Sequence, residues 1–242
     1  MQPGSGEYRA NPKGLRRTAN LFPAQTNHSP IYLSKKRTHM IKKIALALAI
    51  IGIIYYSLSD TKPNNSTYLA QLNKFRRDKN QAFRQGENSP LETAQKTQFD
   101  SLKYYPGDPA LMPHADISRN KTPDTIRLQT TDNKAEKYLN WGSVKFNINN
   151  APQELRLYLK ADGRDSTLFI PFTDLTNGHD TYGGGRYLDA PVPKLNESEI
   201  KLDFNRAYNP FCAYNNAYSC PVPPAENRLQ VAIAAGEKSF HE

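Results

Sequence analysis

Between residues 68 and 84 the apolar positions return at helical spacing. Leu69, Leu72, Phe75 and Phe83 share one side, which predicts an amphipathic helix from Tyr68 to Arg84 with Arg76, Arg77, Asp78 and Lys79 on the wet side. Gly86 ends that pattern. Ser89-Pro90-Leu91-Glu92 then reads as a cap with proline at the first helical position. It opens a short helix reaching Leu102, with Leu91, Phe99 and Leu102 facing the core. Beyond this point the period falls to two. Thr125–Thr131, Tyr138–Ile148, Glu154–Leu159 and Thr167–Phe172 alternate apolar and polar residues, and Leu229, Val231 and Ile233 repeat the alternation near the end. Turns are expected at Pro152-Gln153, Ala161-Asp162-Gly163-Arg164 and Thr176-Asn177-Gly178.

These elements predict a mainly β fold. Residues 68–242 are expected to form a single β-sandwich or barrel-like domain carrying one or two N-terminal helices, without an internal repeat.

Upstream the pattern changes character. Lys42 and Lys43 precede Ile44–Tyr56, IALALAIIGIIYY, a run without charge. At about 1.5 Å per residue the stretch to Leu58 reaches only some 22 Å, short of a hydrocarbon core near 30 Å. A basic flank before an apolar run of this length is the pattern of a secretory signal, so residues 40–59 read as a signal peptide or a signal anchor. Ser57 and Ser59 offer small residues for a cut before Asp60; an uncleaved anchor with snorkelling lysines stands beside that reading. Residues 60–67 are a polar linker. Residues 1–39, rich in Pro, Asn, Ser and basic side chains, read as a disordered basic extension. Either this is a cytoplasmic tail or translation starts at Met40.

The formal charge of +9 invites a nucleic-acid reading. Its distribution argues against one. Residues 1–43 hold nine Lys/Arg against the single acid Glu7, whereas the remainder carries 23 basic and 22 acidic residues. A neutral body lacks the phosphate-neutralising face that nucleic-acid affinity requires. The membrane, through residues 44–58 if the segment stays uncleaved, is the expected partner of the basic end.

Two polar blocks carry the candidate chemistry. In Thr181-Tyr182-Gly183-Gly184-Gly185-Arg186-Tyr187 three glycines permit positive φ and let backbone N–H groups converge on an anion, with Arg186 adding charge. The loop matches neither a P-loop nor a dinucleotide fingerprint, and a bend that lets backbones pass closely is the plainer account. The second block holds Asp203, Asn205, Arg206, Tyr208 and Asn209. If extended, it would place Asp203 and Asn205 on one face. Together the blocks suggest a pocket lined by Tyr182, Gly183, Gly184, Gly185, Arg186, Asp203, Asn205 and Tyr208 that suits a sugar, peptide or carboxylate. The same residues also make sense as internal braces.

Cys212 and Cys220 are the only cysteines. In an exported chain an even count favours a disulfide; half of a zinc site completed by His114 and His179, or unpaired thiols, are the alternatives. Neither a metal nor a cofactor is expected. Asp174 with Asp180, or Asp203 with Glu226, are carboxylate pairs that acid–base chemistry would need face to face. No serine-triad signature occurs. Pro221-Val222-Pro223-Pro224 is expected as an extended strap over the barrel, with a PxxP-type partner site as the rival.

Several separated blocks resemble a bacterial family, domain of unknown function 1684. They are FRRDKNQAFRQGENSPL at Phe75–Leu91, LKYYPGDPALMPHA at Leu102–Ala115, FIPFTDLTNGHDTYGGGRYLD at Phe169–Asp189, and DFNRAYNPFCAY, CPVPPAENRL and AGEK between Asp203 and Lys238. The likeness spans most of Tyr68–Lys238. Phe211 and Gln230 stand where the family pattern would have proline, which touches loop stiffness only. The resemblance implies no reaction and no catalytic residue. The expectation is therefore a cell-envelope protein, exported and either anchored or released. Its domain binds a small polar ligand or an envelope partner without catalysis. A carboxylate-dependent hydrolase in the same pocket and a purely structural domain are the rival readings.

Overall fold

The computed structural model describes residues 35–59, 65–161 and 166–241. The chain divides into two units, residues 1–61 and 62–242. In the first, helix α1 (Lys35–Ser59) begins ahead of Met40, so residues 35–39 of the expected extension are helical. The rest of that extension, and a cut after Ser59, lie outside the described residues. Met40, Ile41, Ile44, Leu46, Leu48, Ile50, Ile51 and Ile53 are all exposed on α1. Among the described residues, no helix is long and apolar enough to cross a membrane.

The second unit opens with helix α2 (Asn65–Gln85), close to its predicted span. Leu72 and Phe83 are buried, and Leu69 and Phe75 are half-buried, as the helical spacing requires. Two of the four expected wet positions are not wet: Arg76 and Lys79 turn inward and meet partners on the body of the domain. Helix α3 (Thr93–Gln98) is shorter than predicted. Its N-cap is Glu92 rather than Ser89, because Glu92 and Gln95 form a reciprocal capping box. Leu91, Phe99 and Leu102 do bury, packing with Phe83 and Tyr214.

The strands are β1 (His114–Arg119), β2 (Thr125–Gln129), β3 (Ala135–Ile148), β4 (Ala151–Lys160), β5 (Thr167–Phe172), β6 (Arg186–Pro191) and β7 (Glu199–Lys201). They form one antiparallel sheet in the order β6-β5-β4-β3-β1-β7, with β2 also paired to β3. The architecture is a curled half-barrel, not a two-sheet sandwich.

A bulge in β3 at Asn140/Gly142 separates the part paired to β2 from the part paired to β1. Gly142 is needed there because a Cβ would lie 2.3 Å from the Ser118 carbonyl oxygen. The β3–β4 hairpin turns at Asn149 and Asn150, with φ of 52° and 62°, rather than at Pro152-Gln153. Asparagine tolerates that left-handed backbone, and Pro152 sits inside β4 opposite Asn147.

One face of the sheet supplies Val144, Phe146, Leu155, Leu157, Leu168, Ile170, Phe172 and Leu188 to the core. Leu202, Phe204, Leu229, Ile233 and Ala235 from the C-terminal segment fill the same core. That segment is irregular backbone. Leu229, Val231 and Ile233 form no strand among the described elements, although the Leu229 amide bonds the Thr173 carbonyl at 2.8 Å. The proline run is held along β2: the Val222 amide donates to the Gln129 carbonyl at 2.7 Å, and the Tyr187 hydroxyl donates to the Pro221 carbonyl.

Candidate functional site

The glycine-rich loop is built on a buried ion pair. Arg186, the first residue of β6, is 0% exposed. Its Nη2 donates to Asp174 Oδ2 at 2.8 Å and to the Ile233 carbonyl at 2.9 Å, while Nη1 reaches the carbonyls of Ala235 and Glu237. The guanidinium carbon lies 5.4 Å from the Phe172 ring centroid. Asp174 accepts in turn from the Thr176 amide at 2.8 Å, the Thr176 hydroxyl at 2.6 Å and the Ile233 amide at 3.1 Å. One Asp–Arg pair thereby ties β6, the 174–181 turn and the C-terminal segment together.

The turn is closed further from within. The Thr176 carbonyl accepts amides from His179, Asp180 and Thr181, and Asn177 Nδ2 bonds the Tyr182 carbonyl at 2.8 Å. Gly185 completes the bend at φ +92°, where a Cβ would stand 2.7 Å from the Phe172 carbonyl oxygen. The glycine there serves backbone approach.

The outer side of the same loop faces solvent. Gly178, His179, Asp180, Thr181 and Gly183 line a cleft of about 370 Å³ with Lys103, Lys238, Ser239 and His241 opposite. Its walls are pinned to each other through backbone: the Lys238 amide donates to the Lys103 carbonyl at 2.9 Å, and the Ser239 amide to the Asp180 carbonyl at 2.9 Å. Lys238 Nζ lies 3.8 Å from Asp180 Oδ1 and 4.9 Å from the Tyr105 ring centroid. Burial, reinforced by the Asp180 carboxylate, pushes the Tyr105 phenol up to about 12.

Of the eight residues expected to line one pocket, Asp203 and Asn205 meet, Asn205 Nδ2 donating to Asp203 Oδ1 at 3.2 Å, and the others are engaged elsewhere. Of the loop, Gly183 reaches the cleft, Gly184 is exposed, Gly185 is buried under Pro223, and Arg186 is committed to Asp174. Tyr182 turns to the cysteines, its hydroxyl 3.9 Å from Cys212 Sγ. Asp203 and Asn205 do not share a strand face, because Phe204–Arg206 is a 3-10 turn capped by the Asp203 carboxylate. Asn205 is wholly buried and pairs edge-on with the backbone of Asp108, two bonds of 2.8 Å each. Asp203 accepts from the Tyr68 hydroxyl of α2 at 2.8 Å. Tyr208 donates to Asp189 at 3.0 Å, and burial together with that carboxylate raises its phenol far above the ordinary range.

The carboxylates proposed as catalytic pairs also have separate partners. Asp174 holds Arg186, Asp180 neighbours Lys238, Asp203 meets Tyr68, and Glu226 lies 3.4 Å from the Tyr158 hydroxyl.

Cys212 and Cys220 are free thiols, which corrects the expected disulfide. Both are buried, and the Cys212 amide donates to Cys220 Sγ at 3.1 Å. The contacts that hold them are hydrogen bonds. The Cys220 thiol, with the Tyr182 hydroxyl behind it, brings Cys212 down to about 7, and the same contact pushes Cys220 up. Among the described residues no group of three or more His, Cys, Asp or Glu is placed to hold a metal ion. His114 lies in β1, beside Glu199 at 3.7 Å.

Sequence reasoning missed a second buried charge. Glu237, 1% exposed, bonds Lys79 Nζ of α2 at 2.5 Å, the Asn209 amide at 2.9 Å and the Tyr214 hydroxyl. Lys79 also lies 4.8 Å from the Tyr208 ring centroid. The AGEK block carries both Glu237 and Lys238, so its place in the resemblance was the available signal.

A family model described as "Protein of unknown function (DUF1684)" matches residues 97–238. A solution NMR structure of an uncharacterized protein from gene locus rrnAC0354 of Haloarcula marismortui is similar at 36% identity. The match covers 74% of this chain and 97% of that one, with a TM-score of 0.60. No match is found among curated proteins. With more than half of its length inside the family model, this chain belongs to the DUF1684 family.

Proposed function

We propose that the domain binds a small polar ligand without chemical turnover, in the cleft between the 178–183 loop and the 238–241 segment. One observation carries the reading: three segments distant in sequence are locked by backbone hydrogen bonds into a cleft of about 370 Å³, a size suited to a small molecule. A preformed cleft loses little ordering free energy on binding. Among the described residues the buried carboxylates Asp174 and Glu237 and the half-buried Asp203 are occupied as braces, which supports binding over acid–base work.

The same reading places the protein at the cell envelope through α1. Its large apolar side chains from Met40 to Ile53 are exposed, and in the sequence Lys35, Lys36, Arg37, Lys42 and Lys43 precede the run. Such a helix binds a membrane by apolar burial joined to attraction for anionic lipid.

A thermal-shift panel on the full chain tests the binding claim. A ligand at about a hundred times its Kd adds roughly 2.7 kcal/mol of stability and a visible rise in Tm. A panel of sugars, acids, nucleotides and peptides that leaves Tm unmoved contradicts it. Fractionation tests the location: the intact chain is expected with membranes, and a chain carrying Ile50→Asp and Ile53→Asp is expected in the soluble fraction.

A further inference from the structure

We propose that Cys212 and Cys220 form a two-coordinate site for a soft monovalent metal ion, with Cu(I) as the ion of matching chemistry. Geometry comes first. Cys212 lies in the 3-10 turn Phe211–Ala213, and Cys220 lies in the irregular segment that leads into the proline run. The two meet all the same: the Cys212 amide donates to Cys220 Sγ at 3.1 Å, and the thiols hydrogen-bond each other. Both side chains are buried and neither is in a disulfide. Converging free thiols are a pair of soft donors.

The pair is held from both sides. The Cys220 amide donates to Thr131 Oγ1 at 3.2 Å, and its carbonyl accepts from the Thr131 amide at 3.0 Å, just past the end of β2. The turn at Cys212 is closed by the Ala213 amide on the Pro210 carbonyl at 2.9 Å. Little ordering is left for an ion to impose.

Donor number and charge then select the ion. A structural Zn(II) takes four N, O or S ligands. Among the described residues no group of three His, Cys, Asp or Glu is placed to hold a metal ion. Cu(I) is satisfied by two thiolates in line. The groups bonded to the sulfurs are neutral, the Cys212 amide on Cys220 and the Tyr182 hydroxyl 3.9 Å from Cys212 Sγ. A buried thiolate needs a positive partner, and the ion supplies it. Uptake releases both thiol protons and transfers no electron. The resulting unit keeps one negative charge, toward which the Cys212 amide and the Tyr182 hydroxyl are already set. Cys212, brought down to about 7, is partly thiolate at neutral pH, and Phe211 beside it is 39% exposed, so the entry path is short.

Anaerobic titration of the full chain with Cu(I) held by bicinchoninate, with ascorbate as reductant, tests this. One equivalent of Cu(I) is expected to move to the native chain, an excess of Zn(II) should leave it there, and Tm should rise on loading. Cys212→Ser and Cys220→Ser should each weaken uptake at least tenfold, and Tyr182→Phe should act in the same direction with a smaller effect. Copper-edge X-ray absorption of the loaded native chain reads the site without any substitution, and two sulfur neighbours are expected. Copper that stays on the bicinchoninate, displacement by Zn(II), undiminished uptake by a folded Cys212→Ser chain, or a shell of nitrogen and oxygen neighbours overturns the assignment.

Discussion

Two Asp–cation contacts lie on opposite sides of one loop, and they do different work. On the inner side Arg186 and Asp174 meet at 2.8 Å with both side chains fully buried. On the outer side Lys238 and Asp180 stand 3.8 Å apart, both partly exposed. The inner pair is held in the core by backbone and hydroxyl partners, with Arg186 Nε alone left without a hydrogen-bond partner. The outer pair is loosely made and water-accessible, so its members can exchange partners. Burial separates the two roles. Residue identity does not, and it was the arginine, the more suggestive residue in sequence, that proved internal.

The largest effect should come from breaking the inner pair. Arg186→Met strands Asp174 as a buried charge, and the expected loss is about 3–5 kcal/mol, read as a lower urea midpoint. Next is the turn that carries the pair: Gly185→Ala forces a Cβ against the Phe172 carbonyl at φ +92°, with an expected cost of about 1–3 kcal/mol. An unchanged midpoint for either variant would mean that the loop relaxes independently of β6.

A pH experiment probes the packing around the same loop. Tyr182, through burial and then the Cys212 charge, and Tyr105, through burial and then Asp180, are both raised to about 12. A phenol raised on folding stabilises the folded state below its unfolded value near 10, and this contribution is lost as pH rises through 12. These two phenols should therefore lower Tm between pH 10 and 12, with tyrosinate absorbance rising in step. The smallest stability effect belongs to the outer pair. Lys238→Met should move the urea midpoint by no more than about 0.5 kcal/mol.

Much of the fold could be read from residue periodicity. Strand β5 falls where alternation put it, and α2 within a few residues. Strand β6 was hidden because Gly183–Gly185 and Pro191 bracket it with turn residues, although Tyr187, Leu188 and Ala190 are buried. The stretch from Leu229 to Ile233 deceived in the opposite sense. Its alternation is real, with Leu229 and Ile233 in the core, but its backbone bonds isolated partners instead of a ladder.

At the candidate site the 178–183 loop was legible from its glycines, whereas Lys103 and His241 were not. Nothing local marks a residue whose role depends on a neighbour so distant in the sequence. Arg76 and Lys79 show the same limit. Hydropathy puts them in water, while Tyr104 and Glu237 draw them inward.

The decisive measurement is a side-by-side comparison of Arg186→Met and Lys238→Met in the full chain, each followed by urea unfolding and by titration with the compound that raises Tm most in the thermal-shift panel. The account predicts a crossed result. Arg186→Met loses several kcal/mol of stability, while Lys238→Met keeps the native midpoint and loses at least tenfold in affinity. If Arg186→Met remains as stable as the native chain and it is that variant which loses the ligand, the inner pair is the binding site and the division drawn here is wrong.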